Sequence, residues 1–200
     1  MEPLLIFFAA ILISFIGALP FGLVNLTVVK VSIKEGAHSA MRVAHGAAWV
    51  EVMFGLVALL AGSALNQWIQ NSVLVNIFVV TVLLSAGLYF LLKKEKNHPA
   101  GKSTGAGFLK GVSLNLISLQ VFIYWIIAMT FVYTKNIPEV SIINSLVFAA
   151  GIFAGKIFIL WLYVLFSLKV ISNVKAITTH INSIMGGILL MIGIFQLFTW

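Results

Sequence analysis

Two ionisable side chains, Glu51 and Lys156, lie in the middle of long apolar stretches of this 200-residue sequence. A charge at mid-bilayer depth costs at least ~2.5–3.5 kcal/mol on insertion scales, so it rarely occurs without a task or a partner. A buried carboxylate can take up and return a proton, and a buried ammonium can hold a carboxylate. One acid and one base at matching places in two similar halves point to a solute site at the interface of the halves. The alternative is a structural ion pair that locks two helices together.

The surroundings of each charge sharpen this. On a helical period, Ala44, Ala48, Glu51, Gly55, Ala58 and Gly62 share one face. Small residues let another backbone approach closely, so Glu51 points into a packed interface or cavity rather than lipid. Lys156 is flanked by Gly151, Ala154 and Gly155. Roughly 20 Å of helix rise separates it from the end marked by Lys169, too far to snorkel. It needs a partner or a water-filled cavity.

Three further groups carry polar chemistry. Pro20 and Gly22 sit in Gly17-Ala18-Leu19-Pro20-Phe21-Gly22-Leu23-Val24-Asn25. Proline has no amide hydrogen and clashes with the preceding turn, and glycine supports helix poorly. Together they predict a broken helix whose freed backbone groups can meet a polar solute, with Asn25 adding a donor and an acceptor. The alternative is a simple proline kink. A later stretch brings Asn115, Ser118 and Gln120 within six residues. These either line a solute path or bond a neighbouring helix. His45 is six residues before Glu51 and on another face, and no histidine makes a metal-ligand spacing with an acid. With no cysteine, thiol chemistry is absent. No metal or other cofactor is expected.

The elements that must position these groups follow from composition. The chain is 62% hydrophobic and 8% charged, where a soluble domain is about a quarter charged. This describes an all-α integral membrane protein. Six apolar stretches read as spanning helices, roughly 4–29, 42–63, 73–92, 107–133, 142–168 and 183–199. The first and fourth are long enough to tilt or contain a break. The net charge of +7 is a topology signal rather than a sign of nucleic-acid binding. Lys30, Lys34 and Arg42 follow the first span; Lys93, Lys94, Lys96, Lys102 and Lys110 follow the third; Lys169 and Lys175 follow the fifth. Of the 12 basic residues, only Lys135 falls in a loop on the other side. The positive-inside rule then places both termini outside.

The halves resemble each other. Leu83-Leu84-Ser85-Ala86-Gly87-Leu88-Tyr89 matches Leu189-Leu190-Met191-Ile192-Gly193-Ile194-Phe195 at an offset of 106. Gly46 with Glu51 matches Gly151 with Lys156 at an offset of 105. Three spans per repeat is an odd number, so the repeats are inverted in the membrane. The expected organisation is a three-helix repeat over 1–92, a cytoplasmic basic loop over 93–106, and a second three-helix repeat over 107–200.

These residues resemble the LysE/RhtB superfamily of small bacterial exporters. The resemblance rests on Pro20-Phe21-Gly22 with Asn25, on Lys34-Glu35-Gly36, on Gly46 with Glu51, and on Gly107-Phe108-Leu109-Lys110-Gly111 leading to an Asn-bearing stretch. It spans essentially the whole chain. Many relatives have Pro-Gly-Pro at the first motif and Asn-Pro in the fourth span, where this chain has Ser118-Leu119, so a milder break is expected there. The resemblance implies antiport across the bacterial inner membrane: export of amino acids or similar zwitterions driven by protons, without enzymatic activity. In that reading Lys156, Asn25 and the backbone of Pro20–Gly22 hold the solute, and Glu51 couples to protons. Glu51→Gln is expected to abolish coupling and leave the fold largely intact. Gly/Ala-rich faces suit a homodimer. The competing classes are a small ion or metal-ion transporter, which would want several acidic oxygens, and a non-transporting membrane subunit.

Overall fold

A computed structural model describes residues 2–19, 22–71, 73–92, 107–134 and 141–172, with isolated positions at 183, 187, 190, 191, 193 and 194. The described chain is helical: α1 (Pro3–Ala18), α2 (Leu23–Asn71), α3 (Val73–Leu92), α4 (Phe108–Leu116), α5 (Leu119–Thr134), α6 (Ile142–Leu165) and the short α7 (Ser167–Ser172). Leu23–Ser63 and Ile142–Leu165 are long and apolar enough to cross a membrane, and the bent pair Phe108–Leu116 with Val121–Met129 makes a third if it counts as one span. The sixth apolar stretch and the basic segment 93–106 lie largely or wholly outside the described residues.

The breaks follow local chemistry, with two departures from the sequence reading. Helix α1 ends at Ala18 and α2 starts at Leu23, so the interruption expected around Pro20–Gly22 is present. Pro20 and Phe21 themselves lie outside the described residues. The expected loop between 29 and 42 is not one. Helix continues on both sides of Gly36, which alone leaves helical geometry at φ 88°, ψ 166°. Only glycine occupies that region without strain, so a single residue suffices to turn the chain. The fourth span is not mildly broken either: α4 and the body of α5 meet at 65°. No proline is needed. The Ile117 and Ser118 amides bond back to the carbonyls of Ser113 and Asn115, and the Ser118 carbonyl accepts from the Val121 amide. The bond of Ile117 to Ser113 is a helical i→i+4 bond, and the two i→i+3 bonds, Ser118 to Asn115 and Val121 to Ser118, end one helix and start the next.

Between apolar helices in lipid there is no hydrophobic drive, so close backbone approach has to supply the packing. Two crossings do this. Where α2 meets α4, a Cβ on Gly46 would land on the Phe108 carbonyl, and one on Gly111 would land on the Val43 carbonyl. Where α6 meets α1, a Cβ on Gly151 would lie 2.6 Å from the Phe7 carbonyl oxygen, and one on Gly155 2.6 Å from that of Ile11. Numbers rise together from Phe7–Gly151 to Ile11–Gly155, and from Val43–Gly111 to Ala47–Asn115, so each pair is parallel. The Asn115–Ala47 bond and the Phe54–Phe122 ring contact extend the α2 register through α4 into α5. Helices α2 and α6 are antiparallel, with Glu51 on Lys156 and Gly55 on Ile152.

The buried side chains form two clusters. One joins Ala18, the α2 residues Val24, Val28, Val31, Ala40, Val43, Ala44 and Ala47, and Ile159, Leu160, Tyr163 and Val164 of α6. Both arms flanking Gly36 thus pack in one cluster with the same end of α6. The other joins Ile6, Ala10, Val52, Ala58, Trp125, Met129, Phe148 and Ile152. On α1, α2 and α6 the clusters meet at three buried polar residues: Ser14, Glu51 and Lys156.

Candidate functional site

Glu51 and Lys156 touch. The Lys156 ammonium lies 2.6 Å from Glu51 Oε2, and the residues are 3% and 1% exposed, Lys156 first. The sequence supplied this pair but left open whether its members meet. They meet because α2 and α6 cross antiparallel, with Gly55 of α2 against Ile152 of α6 one turn from the pair. An ammonium has three N–H donors. Among the described residues Glu51 is its only ion-pair partner.

A third member was not singled out from sequence. Ser14 of α1 is fully buried, and its Oγ lies 2.9 Å from Glu51 Oε1 and 3.0 Å from the Ile152 carbonyl oxygen. It therefore links α1, α2 and α6 at one point. The signal available was the small-residue spacing Ala10-x-x-x-Ser14-x-x-x-Ala18 on the first apolar stretch, which marks a helix-contact face. Tyr124 of α5 closes the fourth side. Its hydroxyl donates to the Ile13 carbonyl at 2.5 Å, its ring covers Gly17, and Glu51 is within electrostatic reach.

The remaining candidates are distributed around this centre. Ser118 sits at the α4–α5 break. That break is level with Glu51, because Asn115 pairs with Ala47 and Phe122 with Phe54 on either side. Asn115 is fully buried; its Nδ2 donates to the Ala47 carbonyl at 2.7 Å, and its Oδ1 has no partner among the described residues. Trp125, also fully buried and on the other side of the break, has no partner for its indole N–H among the described residues. Gln120 lies in α5, and its side chain is outside the described residues.

The break in the first span is not at the charge pair. The Leu19 carbonyl accepts from the Tyr163 hydroxyl at 2.8 Å, and Tyr163 is seven residues beyond Lys156, about 10 Å along the helix. Asn25 Nδ2 donates to the Ala18 carbonyl at 2.6 Å. That carbonyl closes α1, where the helix supplies no amide. The amide of Asn25 is thus engaged in capping, and Gly22 starts α2 by accepting from the Leu26 amide. His45 bonds back to the Met41 carbonyl on its own helix. Among the described residues no cluster of His, Cys, Asp or Glu could hold a metal ion.

The arrangement amounts to a carboxylate and an ammonium in contact, shielded on both sides by apolar clusters, with a hydroxyl bridging to a backbone carbonyl. Such a site can exchange its internal ion pair for a proton or for the two charges of a zwitterion. The sequence profile of the LysE type translocator family matches residues 15–199. No curated protein and no solved structure matches the chain.

Proposed function

The chain belongs to the LysE type translocator family, and from that membership we propose that it exports amino acids or similar zwitterions in exchange for protons. The family consists of membrane transporters of small solutes rather than enzymes, and this chain is one of them. The finer reading rests on one observation: the buried contact between Glu51 and Lys156.

A zwitterion can replace that contact charge for charge. Its ammonium takes the Glu51 carboxylate and its carboxylate takes Lys156, so neither buried charge is left alone. A proton on Glu51 removes the seat of the substrate ammonium. Proton and substrate then exclude each other, which is the requirement for antiport. The break at Ser118 is level with the pair, and its amide and carbonyl are bonded within the break itself, to Asn115 and Val121. Asn115, whose Oδ1 has no partner among the described residues, lies one turn before that break, and Gln120 is assigned to the same solute path. Gly22 and Asn25 lie beyond the break of the first span, along the proposed path toward the basic side, and Pro20, outside the described residues, is assigned to the same path.

The proposed architecture is six spans in two inverted repeats, 1–92 and 107–200, in a bacterial inner membrane with both termini outside. Three features support it. Basic residues gather in alternate loops. Glu51 and Lys156, equivalent at an offset of 105, contact each other, as residues on a two-fold axis must. Gly87 of the third span packs against Leu190 of its matched motif. A homodimer with small-residue faces completes the proposal.

The test is proton flux in proteoliposomes under an imposed pH gradient, with amino acids added one at a time. Flux that needs particular amino acids supports the exporter. Flux indifferent to all of them removes it and leaves the pair as a structural lock.

A further inference from the structure

We propose that Ser14 is a hydroxyl rotor that lets the buried site hold Glu51 in either protonation state without moving a helix. The inference rests on the reading of Glu51 as the proton-carrying group and adds the residue that keeps the Oε1 hydrogen bond matched in both states.

Ser14 Oγ has two acceptors at nearly equal distance, Glu51 Oε1 at 2.9 Å and the Ile152 carbonyl at 3.0 Å. A serine hydroxyl has one hydrogen to donate and two lone pairs to accept with. It can serve only one of the two acceptors at a time. When Glu51 is ionised, the hydrogen goes to Oε1, because bonds to a charged acceptor are the stronger ones. The Ile152 carbonyl loses little, since it lies within α6 and keeps its helical amide. When Glu51 takes a proton on Oε1, that oxygen becomes a donor. It now donates to Ser14 Oγ, and the hydroxyl turns its own hydrogen to Ile152. Oε2 keeps its 2.6 Å contact with the Lys156 ammonium throughout. One proton enters the site, none leaves Ser14, and no buried donor is stranded in either state. Full burial of Ser14 leaves this rotation as its way of staying bonded. Without such a second acceptor, a proton arriving on Oε1 would face another hydrogen.

The groups facing Glu51 among the described residues are Lys156 from α6, Tyr124 from α5 and Ser14 from α1. Tyr124 holds its own hydrogen on the Ile13 carbonyl, and Lys156 only donates. Ser14 alone can change from donor to acceptor toward the carboxyl.

The experiment is pH-difference infrared spectroscopy on the purified full chain, with the carboxylic-acid C=O band of Glu51 assigned by its disappearance in Glu51→Gln. The variants are Ser14→Ala, Ser14→Thr and the near-isosteric Ser14→Cys, whose thiol is a weak donor. The expected result is a Glu51 band displaced to higher frequency in Ser14→Ala, partly displaced in Ser14→Cys and restored in Ser14→Thr. An unmoved band in both Ser14→Ala and Ser14→Cys overturns the proposal, as does the lack of any Glu51 band across the titration. Should Ser14→Ala not fold, Ser14→Cys carries the decision. The spectrum needs no transport, so a rotor present in a protein that moves no amino acid would refute the exporter reading and leave this one standing.

Discussion

Replacing one charge of the central pair should cost far more than replacing both. Glu51→Gln leaves the Lys156 ammonium, 3% exposed, facing a neutral amide. Lys156→Met leaves the Glu51 carboxylate with Ser14 as its only strong donor. Removing one partner of a buried pair costs about 3–5 kcal/mol, because the survivor is charged and unmatched. The expectation from sequence that Glu51→Gln leaves the fold largely intact is therefore revised: 2.6 Å of contact at full burial makes it a destabilising change. The double variant Glu51→Leu/Lys156→Met removes both charges. Ser14 then keeps the Ile152 carbonyl at 3.0 Å, so no polar group is orphaned. Its stability should fall within about 1–2 kcal/mol of the parent, since apolar replacements of whole buried pairs are often neutral. For a chain of this size the single variants should unfold about 10 °C lower and the double variant within a few degrees of the parent. Thermal unfolding in detergent measures the cycle, and proteoliposome flux measures coupling on the same preparations. Equal stability of parent and both single variants would refute the argument that the pair is charged and shielded. A double variant that still exchanges protons for substrate would refute its role in coupling.

Other expectations rest on separate features. Gly111→Ala puts a methyl onto the Val43 carbonyl at the α2–α4 crossing; it should cost about 1–3 kcal/mol, seen as a lower unfolding temperature. Gly36→Ala meets no atom within 4 Å, yet its φ of 88° should still cost about 1–3 kcal/mol through the backbone alone. An intact stability in that variant would mean the chain does not turn there. Asn25→Ala strands the Ala18 carbonyl and should lower stability by about 1–3 kcal/mol. The apparent substrate affinity should change little by comparison in a transport titration.

Much of the site was legible because burial of charge is a property of local composition. Glu51 and Lys156 stand out against apolar neighbours in any window that contains them. Ser14 did not stand out, since a serine in a membrane helix is common and its meaning lies in what α2 and α6 bring to it. The polar residues Asn25 and Asn115 were visible as types, but their tasks were not. Each bonds a backbone carbonyl, one capping α1 and the other tying α4 to α2, and a hydrogen-bond partner 68 residues away has no trace in local pattern. The break at Ser118 was underestimated because the sequence reading looked for proline, whereas i→i+3 bonds end a helix without one.

The sequence by itself determined the solvent of this protein, its family and the identity of its two intramembrane charges. Hydropathy and the cost of a buried charge act residue by residue, and they need no fold to be read. Only the tertiary structure decided that the acid and the base meet, and that a serine joins them. It also decided that the break of the first span lies about 10 Å from the pair. Those outcomes depend on the depth at which glycine-lined helices cross, and a shift of one turn in either crossing would set the same residues against different partners.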